Sequence, residues 1–141
     1  MLSDQALEHK HVLIVEDEFL LGLSLQEELS AAGAEVTGPV STVREALDII
    51  ATEAFDLAVL DVNIRGEMSF SVADALLERN VPFIFLTGYD ADALPERLRR
   101  LPRLGKPYDP KELATALYEA VQGWRPPSQA PTVTAEAARG S

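Results

Sequence analysis

Short apolar runs alternate along this chain with stretches whose apolar residues fall at helical spacing. His11-Val12-Leu13-Ile14-Val15 is mostly β-branched and apolar, and it predicts a buried strand over residues 11–15. Residues 17–32 switch period, with Leu21, Leu25 and Leu29 on one stripe at four-residue spacing, which predicts a helix packed on the core by that stripe. Gly33 marks its end. Residues 35–40 read as a short strand near a sheet edge, where Pro39 is tolerated. Ser41 or Thr42 can then cap a helix whose inward face includes Val43, Ala46, Leu47 and Ile50.

The second half repeats the pattern. A strand is expected over 56–60, then a loop from Asp61 to Ser69, then a helix ending near Arg79 and Asn80. Residues 82–86 predict a strand that opens on proline. Residues 90–100 make a weaker helix, because Pro95 interrupts it. A short last strand over 101–105 is closed by Lys106-Pro107, and Asp109 caps a helix that starts at Pro110 and runs to Gly123. Strand and helix alternate five times, which implies an α/β fold: a doubly wound, five-stranded parallel sheet with helices on both faces. The expected organisation is a lead-in over 1–10, one domain over 11–123, and a flexible tail over 124–141 where Pro, Ser, Ala, Thr and Gly take over.

Composition removes several function classes. The formal net charge of −11 argues against a nucleic-acid-binding surface, which needs clustered cations. The one basic cluster, Arg97, Arg99, Arg100 and Arg103, reads as a solvated helix end. With no cysteine, disulfides, thiolate catalysis and Cys-ligated zinc are excluded. No apolar stretch has the length of a membrane span and the start has no signal-peptide pattern, so the expectation is a cytoplasmic protein without membrane contact.

Candidate chemistry lies at the strand ends. The first strand runs into Glu16-Asp17-Glu18 and the third into Asp61. Ligands of open parallel sheets bind beyond the carboxyl ends of the strands, where strand order reverses. Neighbouring strands stand about 4.8 Å apart, so Glu16, Asp17 and Asp61 should share one crevice, where they repel unless a cation or proton intervenes. A divalent metal site is the leading reading. Thr87 and Lys106 end the fourth and fifth strands, and a lysine can cover most of the roughly 10 Å to Asp61. Taken singly, each residue has a plainer reading: Asp61 a helix cap, Thr87-Gly88 a turn, Lys106 a surface cation.

Val-Glu-Asp-Glu, Leu-Asp-Val-Asn, Thr-Gly and Gly-Lys-Pro, in this order after successive strands, resemble a response-regulator receiver domain over about residues 10–123. The resemblance implies the flavodoxin-like strand order 2-1-3-4-5 and a two-component phosphorelay. It makes Asp61 the acceptor of a phosphoryl group from a histidine kinase. Glu16, Asp17, Asp61 and the backbone carbonyl of Asn63 would hold Mg²⁺, while Thr87 and Lys106 would take phosphoryl oxygens. Residues 82–89 further resemble the FAT GUY subgroup, with Leu86 where that motif has Ala. That likeness implies a stand-alone regulator, a kinase of the HWE or a related type, and signalling by contact with a downstream protein or as a phosphate sink. Arg103 occupies the position of the usual aromatic reporter, leaving Thr87, Tyr89 and Arg103 as switch candidates; Tyr89 could equally be packing. Receivers dock kinases on their first helix, so Phe19, Leu20 and Leu23 are either a docking patch or a cover for the core's edge. A Mg²⁺-dependent phosphohydrolase would need a second Asp where Asn63 stands, and an FMN binder would need a phosphate loop where Glu16-Asp17-Glu18 would repel it. A receiver-like module acting without phosphorylation is a further alternative, disfavoured by the intact Asp61, Thr87 and Lys106 set.

Overall fold

The computed structural model describes residues 7–88 and 94–124. Its first half holds β1 (His11–Val15), α1 (Phe19–Ala31), β2 (Glu35–Val40), α2 (Val43–Thr52) and β3 (Leu57–Asp61). Next come a two-stranded hairpin, β4 (Asn63–Ile64) and β5 (Glu67–Met68), then α3 (Phe70–Glu78) and β6 (Phe83–Thr87). A 3-10 turn (Glu96–Leu98), β7 (Arg103–Gly105) and α4 (Pro110–Gln122) complete it. The main sheet has the order β2-β1-β3-β6-β7, all pairs parallel, which is the expected 2-1-3-4-5 order once the hairpin is set aside.

Side-chain alternation along the strands builds two cores, one on each face. Leu13 and Val15 of β1, Ala58 and Leu60 of β3, and Phe83 and Phe85 of β6 point to α2, α3 and Leu94, Leu98 and Leu101. Val12 and Ile14, Leu57 and Val59, and Ile84 and Leu86 point to α1 and α4, meeting Leu25, Leu29, Leu113 and Leu117. Strands buried on both faces explain why their sequences read as unbroken apolar runs. Leu7, in the expected lead-in, is buried and its N–H donates to the Ala32 carbonyl, while Trp124 lies against Phe83. Residues 125–141, the rest of the expected tail, lie outside the described residues.

Several boundaries move, each for a local reason. The first helix starts at Phe19, not residue 17, because Glu16 and Asp17 turn their carboxylates to the Glu18 and Arg65 N–H groups. Its buried stripe is Gly22, Leu25 and Leu29, with Leu21 only half-buried. The third strand includes Asp61 and the fourth Thr87, since pairing continues through Asp61 opposite Leu86 and Thr87 opposite Gly105. The expected loop 61–69 folds as the β4–β5 hairpin. Between Leu94 and Leu101 only the 3-10 turn forms; Pro95 is extended and the Leu94 carbonyl accepts from Arg99 Nε, so no α-helix propagates there. Residues 89–93 of that segment lie outside the described residues. The last strand begins at Arg103, not residue 101. Nor is the arginine cluster simply solvated: Arg97 grips Asp74 of α3 through two hydrogen bonds, 3.2 and 2.8 Å.

The starts of α2 and α4 follow the sequence closely. Thr42, not Ser41, caps α2, accepting from the Glu45 N–H, and Asp109 forms a capping box with Glu112 on α4. Gly22 has a different purpose: a Cβ there would stand 2.5 and 2.8 Å from the Pro39 ring of β2. An open helical site gains about 1 kcal/mol from Gly→Ala, but overpacking costs about 1–3 kcal/mol. Gly22→Ala is therefore expected to lower the unfolding midpoint in urea; a raised midpoint would show that Pro39 yields freely.

Candidate functional site

The strand order delivers the polar strand ends to one crevice. Glu16 leaves β1 with its N–H on the Val40 carbonyl at 3.0 Å, and Asp61 ends β3 in the centre of the sheet. Lys106 follows β7, its N–H bound to the Thr87 carbonyl at 3.0 Å. Its ammonium then reaches back across β6 to Asp61 Oδ2 at 2.7 Å, Glu18 Oε1 at 3.1 Å and Glu16 Oε1 at 3.4 Å. The lysine stem is largely covered, with 23% of the side chain accessible. The crevice above, about 380 Å³, is lined by Asp17, Glu18, Asp61, Asn63, Gly88 and Lys106.

Glu16, Asp17 and Asp61 each offer a carboxylate oxygen, and these lie within 4.8 Å of one another. Glu16 and Asp61 are buried and Asp17 half-buried. Burial, opposed by the Glu18 N–H bond and reinforced by the Asp61 charge, pushes the Glu16 carboxyl up to about 8. For Lys106 burial works against the charge, but Asp61, then Glu16 and Glu18, outweigh it and hold the ammonium above its ordinary range. The Tyr108 phenol is likewise raised, by burial and then by the charges of Glu16, Asp61 and Glu18.

The site fits a small hard cation. Its donors are all oxygens, three carboxylates converge, and Glu16 Oε1 is buried without a hydrogen-bond partner. A single shared ammonium does not balance three carboxylates and Glu18 beside them. The β4–β5 hairpin frames the same edge. Arg65 at φ 53° and Gly66 at φ 84° make its turn, the Arg65 N–H donates to Asp17 Oδ2 at 2.7 Å, and the Gly66 N–H to Asn63 Oδ1 at 2.8 Å. Asn63 is thus at the crevice, with its side chain engaged in the turn.

Ser69 was not foreseen as part of the site. It is fully buried, and its Oγ lies 2.5 Å from the Asp61 carbonyl and 3.1 Å from that of Val62, fixing the backbone that carries the acid. A serine before a helix signals a cap, and Ser69 makes no side-chain cap bond, so the sequence cue points elsewhere. Other candidates fall outside the crevice. Phe19 and Leu20 are 73% and 74% exposed and Leu23 37%, so Phe19 and Leu20 do not cover the core. Arg103 is exposed, its guanidinium on the Arg99 carbonyl, and Tyr89 lies outside the described residues. His11 bonds Thr37 and lies against Phe55, a structural role.

The profile of the response regulator receiver domain matches residues 12–118. This chain belongs to that family. The receiver is 41% identical to SdrG from Sphingomonas melonis Fr1, whose solved structure it matches with a TM-score of 0.70, over 83% of this chain and 98% of that one. It is 29% identical to the transcriptional regulatory protein PdtaR of Mycobacterium tuberculosis, over 82% of this chain and 58% of the relative; this chain thus spans little more than half of PdtaR. It is 28% identical to sporulation initiation phosphotransferase F of Bacillus subtilis, over 77% of this chain and 91% of that protein. Receivers are phosphorylated on an aspartate, bind Mg²⁺ at an acidic pocket and work with histidine kinases and downstream partners. They are generally not enzymes in the ordinary sense. Among the described residues no helix is long and apolar enough to cross a membrane.

The raised Glu16 carboxyl sets a pH dependence. Folding lifts its pKa from 4.5 to about 8, so the native state binds the extra proton between those values. The contribution is fully present below the lower value and is lost as pH rises through the upper one. Metal-free protein is expected to lose stability from about pH 5 to 8 relative to Glu16→Gln, which cannot titrate there. Urea unfolding of both proteins across that range checks it; parallel curves would contradict the buried acid.

Proposed function

We propose that this receiver takes a phosphoryl group on Asp61 from a phosphohistidine of a kinase, with Mg²⁺ held by Glu16, Asp17, Asp61 and the Asn63 carbonyl. The observation that carries the reading is the Lys106 ammonium 2.7 Å from Asp61 Oδ2, a cation already in place where phosphoryl charge must be received. An Asp61 oxygen attacks phosphorus, the P–N bond breaks, and its electron pair returns to the imidazole of the donor. Catalysis of such a transfer is positioning and charge neutralisation. Lys106 supplies one positive charge, and the buried Thr87 at the end of β6 would donate its hydroxyl to a phosphoryl oxygen. Mg²⁺, when bound, would add the charge neutralisation that one lysine cannot provide against several carboxylates.

Phe19, Leu20 and Leu23 would form the kinase-docking patch, supported by the exposure of the first two. The likeness of residues 82–89 to the FAT GUY motif and the 41% identity to SdrG support a place in that subgroup, with a kinase of the HWE or a related type. Output would run through contact with a partner protein or by draining phosphate from a shared kinase. With the exposed Arg103 in the last strand, Thr87 and Tyr89 would carry the switch instead of a buried ring. Incubation with Mg²⁺ and acetyl phosphate, followed by intact mass, tests the core of this reading. The expected result is one phosphoryl adduct on the wild type and none on Asp61→Asn. An adduct that survives the substitution, or a wild type that never gains one, would reject it.

A further inference from the structure

Three carboxylates share the Lys106 ammonium, and one of them stands apart from the acidic cluster. Glu18 is the N-cap residue of α1, with its backbone fixed on both sides: its N–H donates to Glu16 Oε2 at 3.0 Å and its carbonyl accepts from Gly22 at 2.9 Å. Its side chain makes no cap bond to the helix and extends instead to Lys106 at 3.1 Å. That carboxylate is 62% exposed, whereas the Asp61 side chain is 7% exposed.

Glu18 and Lys106 also form one wall of an open groove of about 710 Å³, completed by Phe19, Leu20, Leu21 and Tyr108. Phe19 and Leu20 are the two most exposed large apolar side chains among the described residues. The Tyr108 hydroxyl is buried there without a hydrogen-bond partner. One ion pair therefore joins the floor of the crevice to the rim of an apolar surface.

We propose that Glu18 is a positioning residue that couples the chemical state of Asp61 to this groove by competing for Lys106. The inference rests on the reading of Asp61 as phosphoacceptor. A phosphoryl group brings more negative charge to Asp61 than the carboxylate it modifies, and it draws the ammonium inward. Glu18 is the acceptor that yields, because an exposed pair gains little from its attraction while a covered one is screened less. Withdrawal of Lys106 leaves a bare carboxylate beside Phe19 and Leu20 where a neutral pair stood. The groove then presents different charge to a partner in the two states, with no rearrangement of the sheet.

Amide NMR on the full chain, with and without Mg²⁺ and beryllofluoride as the phosphoryl mimic, tests this. In the wild type, Gly88 at the crevice and Phe19, Leu20 and Tyr108 at the groove should all shift on loading. In Glu18→Gln the Gly88 shift should persist while the groove shifts fall to about half or less, since the pair that transmits the change is gone. Glu18→Ser, which can cap α1 through its hydroxyl, guards against an effect of helix fraying and should behave as Glu18→Gln does. Groove shifts of wild-type size in both variants would overturn the coupling. A wild type in which Gly88 never responds would instead defeat the phosphoacceptor reading, and the coupling with it.

Discussion

Everything at the working edge of this receiver follows from an imbalance of charge. Glu16, Asp17 and Asp61 converge within 4.8 Å, Glu18 stands beside them, and a single lysine ammonium is shared among Asp61, Glu18 and Glu16. Taking carboxylates out of water is costly unless each finds a partner, and the imbalance has visible consequences. Glu16 resolves it by holding a proton well above the ordinary range, and Lys106 by holding its own more tightly than usual. A site kept in this condition is ready for a cation and for a reaction that redistributes negative charge.

The fold maintains the imbalance. A parallel sheet fixes its central strands by apolar packing on both faces and by backbone pairing, so the acids at their ends are held in place despite their mutual repulsion. Ser69 anchors the Asp61 backbone, Gly22 admits the Pro39 ring beneath the Glu16 turn, and the β4–β5 hairpin presents the Arg65 N–H to Asp17. Leu94, Leu98 and Leu101 pin residues 94–101 into one core although only Glu96–Leu98 among them are helical. Packing supplies the stability that the site consumes.

A parallel sheet with helices on both faces, and the convergence of Glu16, Asp17, Asp61 and Lys106 at one edge of it, were legible in the period and direction of the short apolar runs. The strand order 2-1-3-4-5 was implied by the resemblance of the strand-end motifs to a receiver. Features set by specific side-chain bonds were not. The delayed start of α1 depends on where the Glu16 and Asp17 oxygens turn, and the hairpin within 61–69 on a turn at Arg65 and Gly66. The loss of a helix over 94–101 depends on Pro95 and Arg99, although its leucines keep helical spacing. The Glu18–Lys106 contact spans most of the chain, and no local pattern signals it.

The most direct measurement is calorimetric titration of Mg²⁺ into metal-free protein near pH 7, in buffers of different ionisation heat. With its carboxyl lifted to about 8, Glu16 is mostly protonated at that pH and must release its proton to meet a cation. The account predicts Mg²⁺ binding with proton release in the wild type, and none of that release in Glu16→Gln. Failure to bind Mg²⁺, or binding with no exchange of protons, would contradict it.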